Sequence, residues 1–121
     1  CPSLPAQYAA LSAFDPSVLE QLDAQRDILA ERRKLMLSSI TETGLQVPVS
    51  PDGAFYLYAK LPEHFGSADD YCRDLLEQEG VAITPGTDFG DHDAQHYVRI
   101  SYAQPRAVLQ QALERMVRFR P

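Results

Sequence analysis

A guanidinium placed in mid-strand is the most chemically telling feature of this sequence. His96-Tyr97-Val98-Arg99-Ile100-Ser101-Tyr102-Ala103 reads as one strand. Strand side chains alternate between faces, so Val98, Ile100 and Tyr102 share a core face and Tyr97, Arg99 and Ser101 share the other. Arginine stays charged and offers a planar fork that fits a carboxylate bidentately. An arginine so placed is ordinarily solvated, or one half of a structural ion pair, and 17 Asp and Glu residues offer it partners. The functional alternative is a receptor for a small carboxylate.

Other groupings carry less. Asp88-Phe89-Gly90 spells the magnesium-binding tripeptide of kinases, but the glycine-rich loop, strand lysine and His-Arg-Asp loop that kinases also need are missing. Asp91-His92-Asp93 with His96 offers nitrogen and oxygen ligands close together, in a short polar loop of the kind that is normally solvated. No nucleophile elbow supports Ser-His-Asp catalysis. Cys72 falls on the apolar stripe of a helix and reads as a packed structural cysteine. Arg32-Arg33-Lys34 reads as a solvated helix face, with weak pairing to Asp27 and Glu31.

The elements around Arg99 follow from apolar spacing and chain breakers. Pro2 to Ala13 reads as a short helix, broken at Phe14-Asp15-Pro16. Asp15 suits an N-cap and Pro16 the first helical position. No Gly or Pro interrupts the chain from there to Thr43, and Gly44 suits the C-terminal stop. That helix would be about 42 Å long at roughly 1.5 Å per residue, more than a domain this small spans. It is either a plain amphipathic helix or a bridge between two domains. Its stripe is Val18, Leu22, Leu29, Met36 and Ile40. Ala54 to Leu61 is a nearly continuous apolar run, predicting a strand covered on both faces. Ser67-Ala68-Asp69-Asp70 opens a helix with a capping-box-like pattern, ended by Gly80. Val81 to Thr84 reads as a short buried strand stopped by Pro85-Gly86. After the Arg99 strand, Pro105 starts a last helix with Val108, Leu109, Ala112, Leu113, Met116 and Val117 on one face. The order predicts an α/β (α+β) sandwich: a small, mainly antiparallel sheet packed against helices, preceded by a long bridging helix.

Several motifs, in order, carry a family resemblance. Val81-Ala82-Ile83-Thr84-Pro85-Gly86-Thr87-Asp88-Phe89-Gly90 followed by Tyr97-Val98-Arg99-Ile100-Ser101-Tyr102-Ala103 resembles the C-terminal end of the aspartate-aminotransferase family, the class I/II, fold-type-I pyridoxal-phosphate enzymes. Pro51-Asp52-Gly53-Ala54-Phe55-Tyr56 is similar to that family's Pro-x-Gly-Ala-Phe-Tyr strand entry. Arg32-Arg33 stands where the family often has an arginine pair. Cys1-Pro2-Ser3 with Gln7, Ala9, Ala10 and Leu11 is similar to its Cys-Pro-Ser…Gln…Ala-Ala segment. The resemblance covers nearly the whole chain.

The resemblance implies that Arg99 binds the substrate α-carboxylate, with Ala54, Phe55 and Phe89 lining the substrate side. It also implies pyridoxal 5'-phosphate in the full-length enzyme. The family's Schiff-base lysine and phosphate cradle lie upstream of Cys1, and the only lysines here, Lys34 and Lys60, lack the Ser-x-x-Lys context. No catalytic residue and no bound cofactor are therefore expected of this chain alone. It is expected to be a C-terminal piece of a larger enzyme: residues 1–14 on the large-domain side, 15–44 a long interdomain helix, 45–121 the small domain. The expected partners are amino acid and 2-oxo acid substrates, the missing large domain and a second copy in a homodimer. A binding module for an acidic ligand, and a lyase or decarboxylase on the same fold, are the alternatives.

Composition narrows the field further. With 121 residues, 45% hydrophobic and 23% charged, the chain has the makeup of one ordinary globular domain. A net charge of −6 with 11 Lys+Arg suggests no nucleic-acid surface. No apolar stretch approaches membrane-spanning length. Two cysteines, Cys1 and Cys72, form no disulfide framework and no metal-ligand spacing, which makes a reducing cytoplasm the expected compartment.

Overall fold

The computed structural model describes residues 1–119. Four helices and three strands follow in the expected order: α1 (Leu4–Ser12), α2 (Pro16–Ser39), β1 (Tyr56–Lys60), α3 (Ala68–Glu79), β2 (Thr84–Pro85), β3 (Tyr97–Ser101) and α4 (Arg106–Arg118). The sheet order is β1-β3-β2, with both pairings antiparallel. The strand that carries Arg99 is therefore the central one.

Alternation along β3 sets the layers. Val98 and Ile100 are buried, as is Tyr102 just beyond the strand. Leu57 and Ala59 of β1 join them on the same face. Against that face pack Met36 and Ile40 at the end of α2, Tyr71, Cys72 and Leu75 of α3, and Leu109, Leu113 and Met116 of α4. Burial of this apolar surface is the dominant stabilising term. The opposite face of the sheet carries Tyr56, Tyr58, Tyr97 and Arg99.

Helix ends follow their local chemistry. Ser67 caps α3: its hydroxyl oxygen accepts from the Asp70 backbone N–H at 3.2 Å and the same hydroxyl donates to the Asp70 carboxylate at 2.7 Å. Such a cap contributes about 1 kcal/mol. Gly80 closes the helix in the left-handed region at φ 66°, and Arg115 of α4 donates to the Glu79 carbonyl at 3.1 Å, satisfying an end carbonyl. Asp15 occupies the N-cap position of α2 with Pro16 as first residue, but its side chain makes no capping hydrogen bond. Beyond Ser39 the chain tightens into a 3₁₀ segment, Ile40–Thr43, before Gly44 at φ 87°.

Three expectations need correction. The Ala54–Leu61 run is covered on one face only: Leu57 and Ala59 are buried, while Phe55, Tyr56 and Tyr58 are exposed. Aromatic side chains with polar tips suit both environments, so hydrophobicity alone misjudged the second face. Val81–Thr84 is not a paired strand; the ladder to β3 forms only at Thr84 and Pro85, although Val81 is buried. The stripe of α2 also divides, for Met36 and Ile40 are in the core whereas Leu22 is half exposed.

Candidate functional site

Arg99 stands mid-strand on β3, its backbone flanked by Tyr58 of β1 and Thr84 of β2. Pairing on both edges fixes the Cα, and alternation sends the side chain to the face opposite the core. The guanidinium carbon lies 4.2 Å from the Phe89 ring centroid and 5.6 Å from that of Tyr56. Both are within cation–π range. Among the described residues Arg99 enters no ion pair, so its fork is not spent on a protein carboxylate. Despite the abundance of acidic residues, the ion-pair reading of this arginine finds no partner among the described residues.

Phe89 reaches Arg99 from the segment after Pro85-Gly86, which turns as a 3₁₀ unit over Gly86–Asp88. Gly86 is required there by space. A Cβ on it would lie 2.5 Å from the Ala94 carbonyl oxygen, 2.6 Å from Tyr58 Oη and 2.8 Å from the Tyr97 carbonyl oxygen. Real Cβ atoms do not approach that closely. Tyr58 in turn stacks on Tyr97, with centroids 4.9 Å apart and planes 5° off parallel, and burial pushes its phenol above the usual range.

The other side of the site is the turn before β1. Ala54 holds φ 60°, in the left-handed region. Tyr102 Oη donates to the Gly53 carbonyl at 3.1 Å and the Ala54 carbonyl at 3.2 Å, while the Tyr102 N–H donates to the Phe55 carbonyl at 2.7 Å. Arg33 Nη1 donates to the Pro51 carbonyl at 3.0 Å. Phe55 meets Tyr56 edge to face at 5.6 Å, and Tyr56 is the second ring beside Arg99.

Of the residues singled out from sequence, Arg99 and Phe89 are in direct contact, Phe55 joins them through Tyr56, and Ala54 is in the adjoining turn. Sequence reasoning missed Tyr102 as a hydroxyl donor. It also misjudged Arg32 and Arg33: Arg32 Nη1 donates to the Ala103 carbonyl at 2.7 Å, across 71 positions of sequence. Only Lys34 of that run behaves as a solvated helix residue, pairing with Glu31 at 2.7 Å. The resemblance of the arginine pair was the available signal. Asp93 and His96 pair at 3.7 Å, and among the described residues no group of three His, Cys, Asp or Glu could hold a metal. Cys72 is buried, its thiol pushed up to about 12 mainly by desolvation. No helix among the described residues is long and apolar enough to cross a membrane.

The sequence profile of aminotransferase class I and II matches residues 1–116. The chain is 36% identical over 121 residues to a valine–pyruvate aminotransferase of Mycobacterium tuberculosis, covering 100% of this chain and 31% of that one. It is 36% identical over 124 residues to an aspartate aminotransferase of Bacillus subtilis, covering 98% and 30%. Among solved structures, an aminotransferase from M. tuberculosis superposes with TM-score 0.89 at 36% identity, over 97% of this chain and 30% of that one. A mutant aspartate aminotransferase of Thermus thermophilus gives 0.85 at 36% identity, over 97% and 31%. The chain thus spans about a third of the length of the relatives it matches.

Proposed function

This chain belongs to the class I and II aminotransferases, and from that premise we propose that it is the small domain and bridging helix of an enzyme that transfers an amino group between amino acids and 2-oxo acids. The division at residues 1–14, 15–44 and 45–121 belongs to this reading, as do a homodimer, a cytoplasmic setting and a large domain supplied by the rest of a longer protein. The observation that carries it is the partly buried Arg99, its guanidinium set on Phe89 with no acidic partner among the described residues.

Arg99 is the α-carboxylate receptor in this reading. Two parallel N–H···O bonds would fix the carboxylate and so the direction of the Cα–H bond, an orientation effect. Phe89 and Tyr56 flank the guanidinium, and Phe55 and Ala54 continue the lining. Family membership implies pyridoxal phosphate in the full enzyme, where it supplies the electron sink for amino-group transfer. This chain's residues do not fit as its carrier. Lys34 is paired with Glu31 on an exposed helix face, and Lys60 Nζ lies 5.9 Å from the Tyr97 centroid on the sheet face. The domain's contribution is to bind and orient substrate.

Arg99→Lys in the full-length enzyme tests this. A lysine keeps the charge and loses the bidentate fork, which should cost roughly 1.5–3 kcal/mol. KM should rise for amino and oxo acids alike and kcat should fall; unchanged kinetics with several substrates would reduce Arg99 to a structural residue.

A further inference from the structure

We propose that Tyr102, assisted by Arg33, is a positioning residue that locks the Pro51–Phe55 turn and thereby sets the Phe55–Tyr56 aromatic wall beside Arg99. The inference rests on the reading of Arg99 as the carboxylate receptor.

The turn cannot hold itself. Ala54 sits at φ 60°, where its Cβ crowds the backbone and alanine is disfavoured. Such a conformation persists only when the surroundings over-determine it. Here they do so from two directions. One phenol proton is shared between two successive carbonyls, Gly53 at 3.1 Å and Ala54 at 3.2 Å. Those carbonyls can converge on one donor only if the backbone bends sharply between them. On the far side, Arg33 of α2 holds the Pro51 carbonyl at 3.0 Å. The Tyr102 N–H then takes the Phe55 carbonyl at 2.7 Å, and β1 begins one residue later, at Tyr56.

What the lock positions is specific. Tyr102 is buried and lies three residues past Arg99, just beyond the end of the same strand. Its hydroxyl ties that strand to the turn, so the receptor and its flanking wall share one frame. Phe55 is half exposed and rests edge to face on Tyr56, which lies 5.6 Å from the Arg99 guanidinium. If the turn relaxes, the wall loses its register with the arginine while the arginine itself stays on its ladder.

The test is steady-state kinetics of the full-length enzyme, using alanine, valine, aspartate and phenylalanine as donors with pyruvate or 2-oxoglutarate as acceptor, on the best pair. Tyr102→Phe removes only the hydroxyl. KM should rise about 3- to 10-fold, the range of one net hydrogen bond, with kcat within about 2-fold because the reacting atoms are untouched. Adding Ala54→Gly should restore part of that KM, since glycine enters the left-handed region freely. A role in stability alone would not give that rescue. Arg33→Gln, which cuts the other tie, should give a smaller rise of the same kind and serves if Tyr102→Phe does not fold. Unchanged KM in Tyr102→Phe, or no rescue, overturns the inference while a raised KM in Arg99→Lys leaves the carboxylate reading standing. Unchanged KM in Arg99→Lys overturns both.

Discussion

The guanidinium carbon of Arg99 and the ring centroid of Phe89 are 4.2 Å apart. A cation over a ring face gains about 0.5–2 kcal/mol, depending on desolvation. That holds the plane of the guanidinium without occupying its N–H groups. A carboxylate arriving at the open face would meet an oriented fork with its donors still available, which a surface ion pair would not have left. The kinase-like tripeptide Asp88-Phe89-Gly90 finds its meaning here, with the phenylalanine serving as a rest for a cation.

The chain by itself should not trap pyridoxal phosphate. Both of its lysines are solvated or laid over a ring, and neither is placed to carry the cofactor. Borohydride reduction with the cofactor present, followed by mass spectrometry, should yield no stoichiometric pyridoxyl adduct. A full adduct at Lys34 or Lys60 would be decisive against the proposed division of labour.

Gly86→Ala should destabilise the fold and disturb the site together. The new Cβ would meet two backbone carbonyls and the Tyr58 hydroxyl at 2.5–2.8 Å, and carbonyls cannot yield as a flexible side chain can. Overpacking of this kind costs typically 1–3 kcal/mol. Thermal or urea unfolding would show it. A variant as stable as the parent would mean that the Ala94–Tyr97 segment moves aside at no cost.

Alkaline pH should loosen the core in a defined window. Burial pushes the Tyr71 phenol and the Cys72 thiol each up to about 12, from 10.0 and 9.0. For groups whose folded pKa is raised, the stability they confer is whole below the unfolded value and is lost as pH climbs to the folded one. Stability should therefore be flat to about pH 9 and fall steadily to about pH 12. The Tyr71 hydroxyl is buried with no hydrogen-bond partner among the described residues. Tyr71→Phe should be neutral or stabilising by about 1 kcal/mol at pH 7 and should soften the alkaline decline. A Tyr71→Phe variant less stable at neutral pH would show that the hydroxyl has a partner after all.

The isolated chain should self-associate through its N-terminal helices. No residue of α1 is buried; Leu4, Tyr8, Leu11 and Phe14 are each about two-thirds exposed or more, and Leu22 and Ile28 of α2 are half exposed. Large apolar side chains left exposed together tend to be covered by a partner surface. Light scattering should give a dimer or larger species at moderate concentration, and Leu11→Lys with Phe14→Lys should return it to monomer. A parent chain that stays monomeric at high concentration would count against this.

Alternation was the dependable part of the sequence signal. Val98, Ile100 and Tyr102 pointed inward as their spacing required, and Arg99 outward. Breakers placed most helix ends, Gly44 and Gly80 among them. Hydrophobicity reported burial and not pairing, so Val81 was rightly core yet wrongly a ladder residue. It could not separate a covered face from an open one at Tyr56 and Tyr58. Arg32, Arg33 and Tyr102 act on carbonyls 71, 18 and 48–49 positions away. No local pattern encodes a contact of that reach; only the motif likeness hinted at it.

The central place of β3 bears on how such a site can diversify. The arginine's address is written in a ladder with neighbours on both edges, whereas Phe89 and Phe55 hang from a loop and a turn. Loops accept change more readily than the ladders they join. Replacing the residues around Arg99 therefore need not move the arginine. Libraries confined to residues 53–55 and 87–93, with Tyr58, Gly86, Arg99 and Tyr102 left untouched, would sample new surroundings for the same fixed anchor.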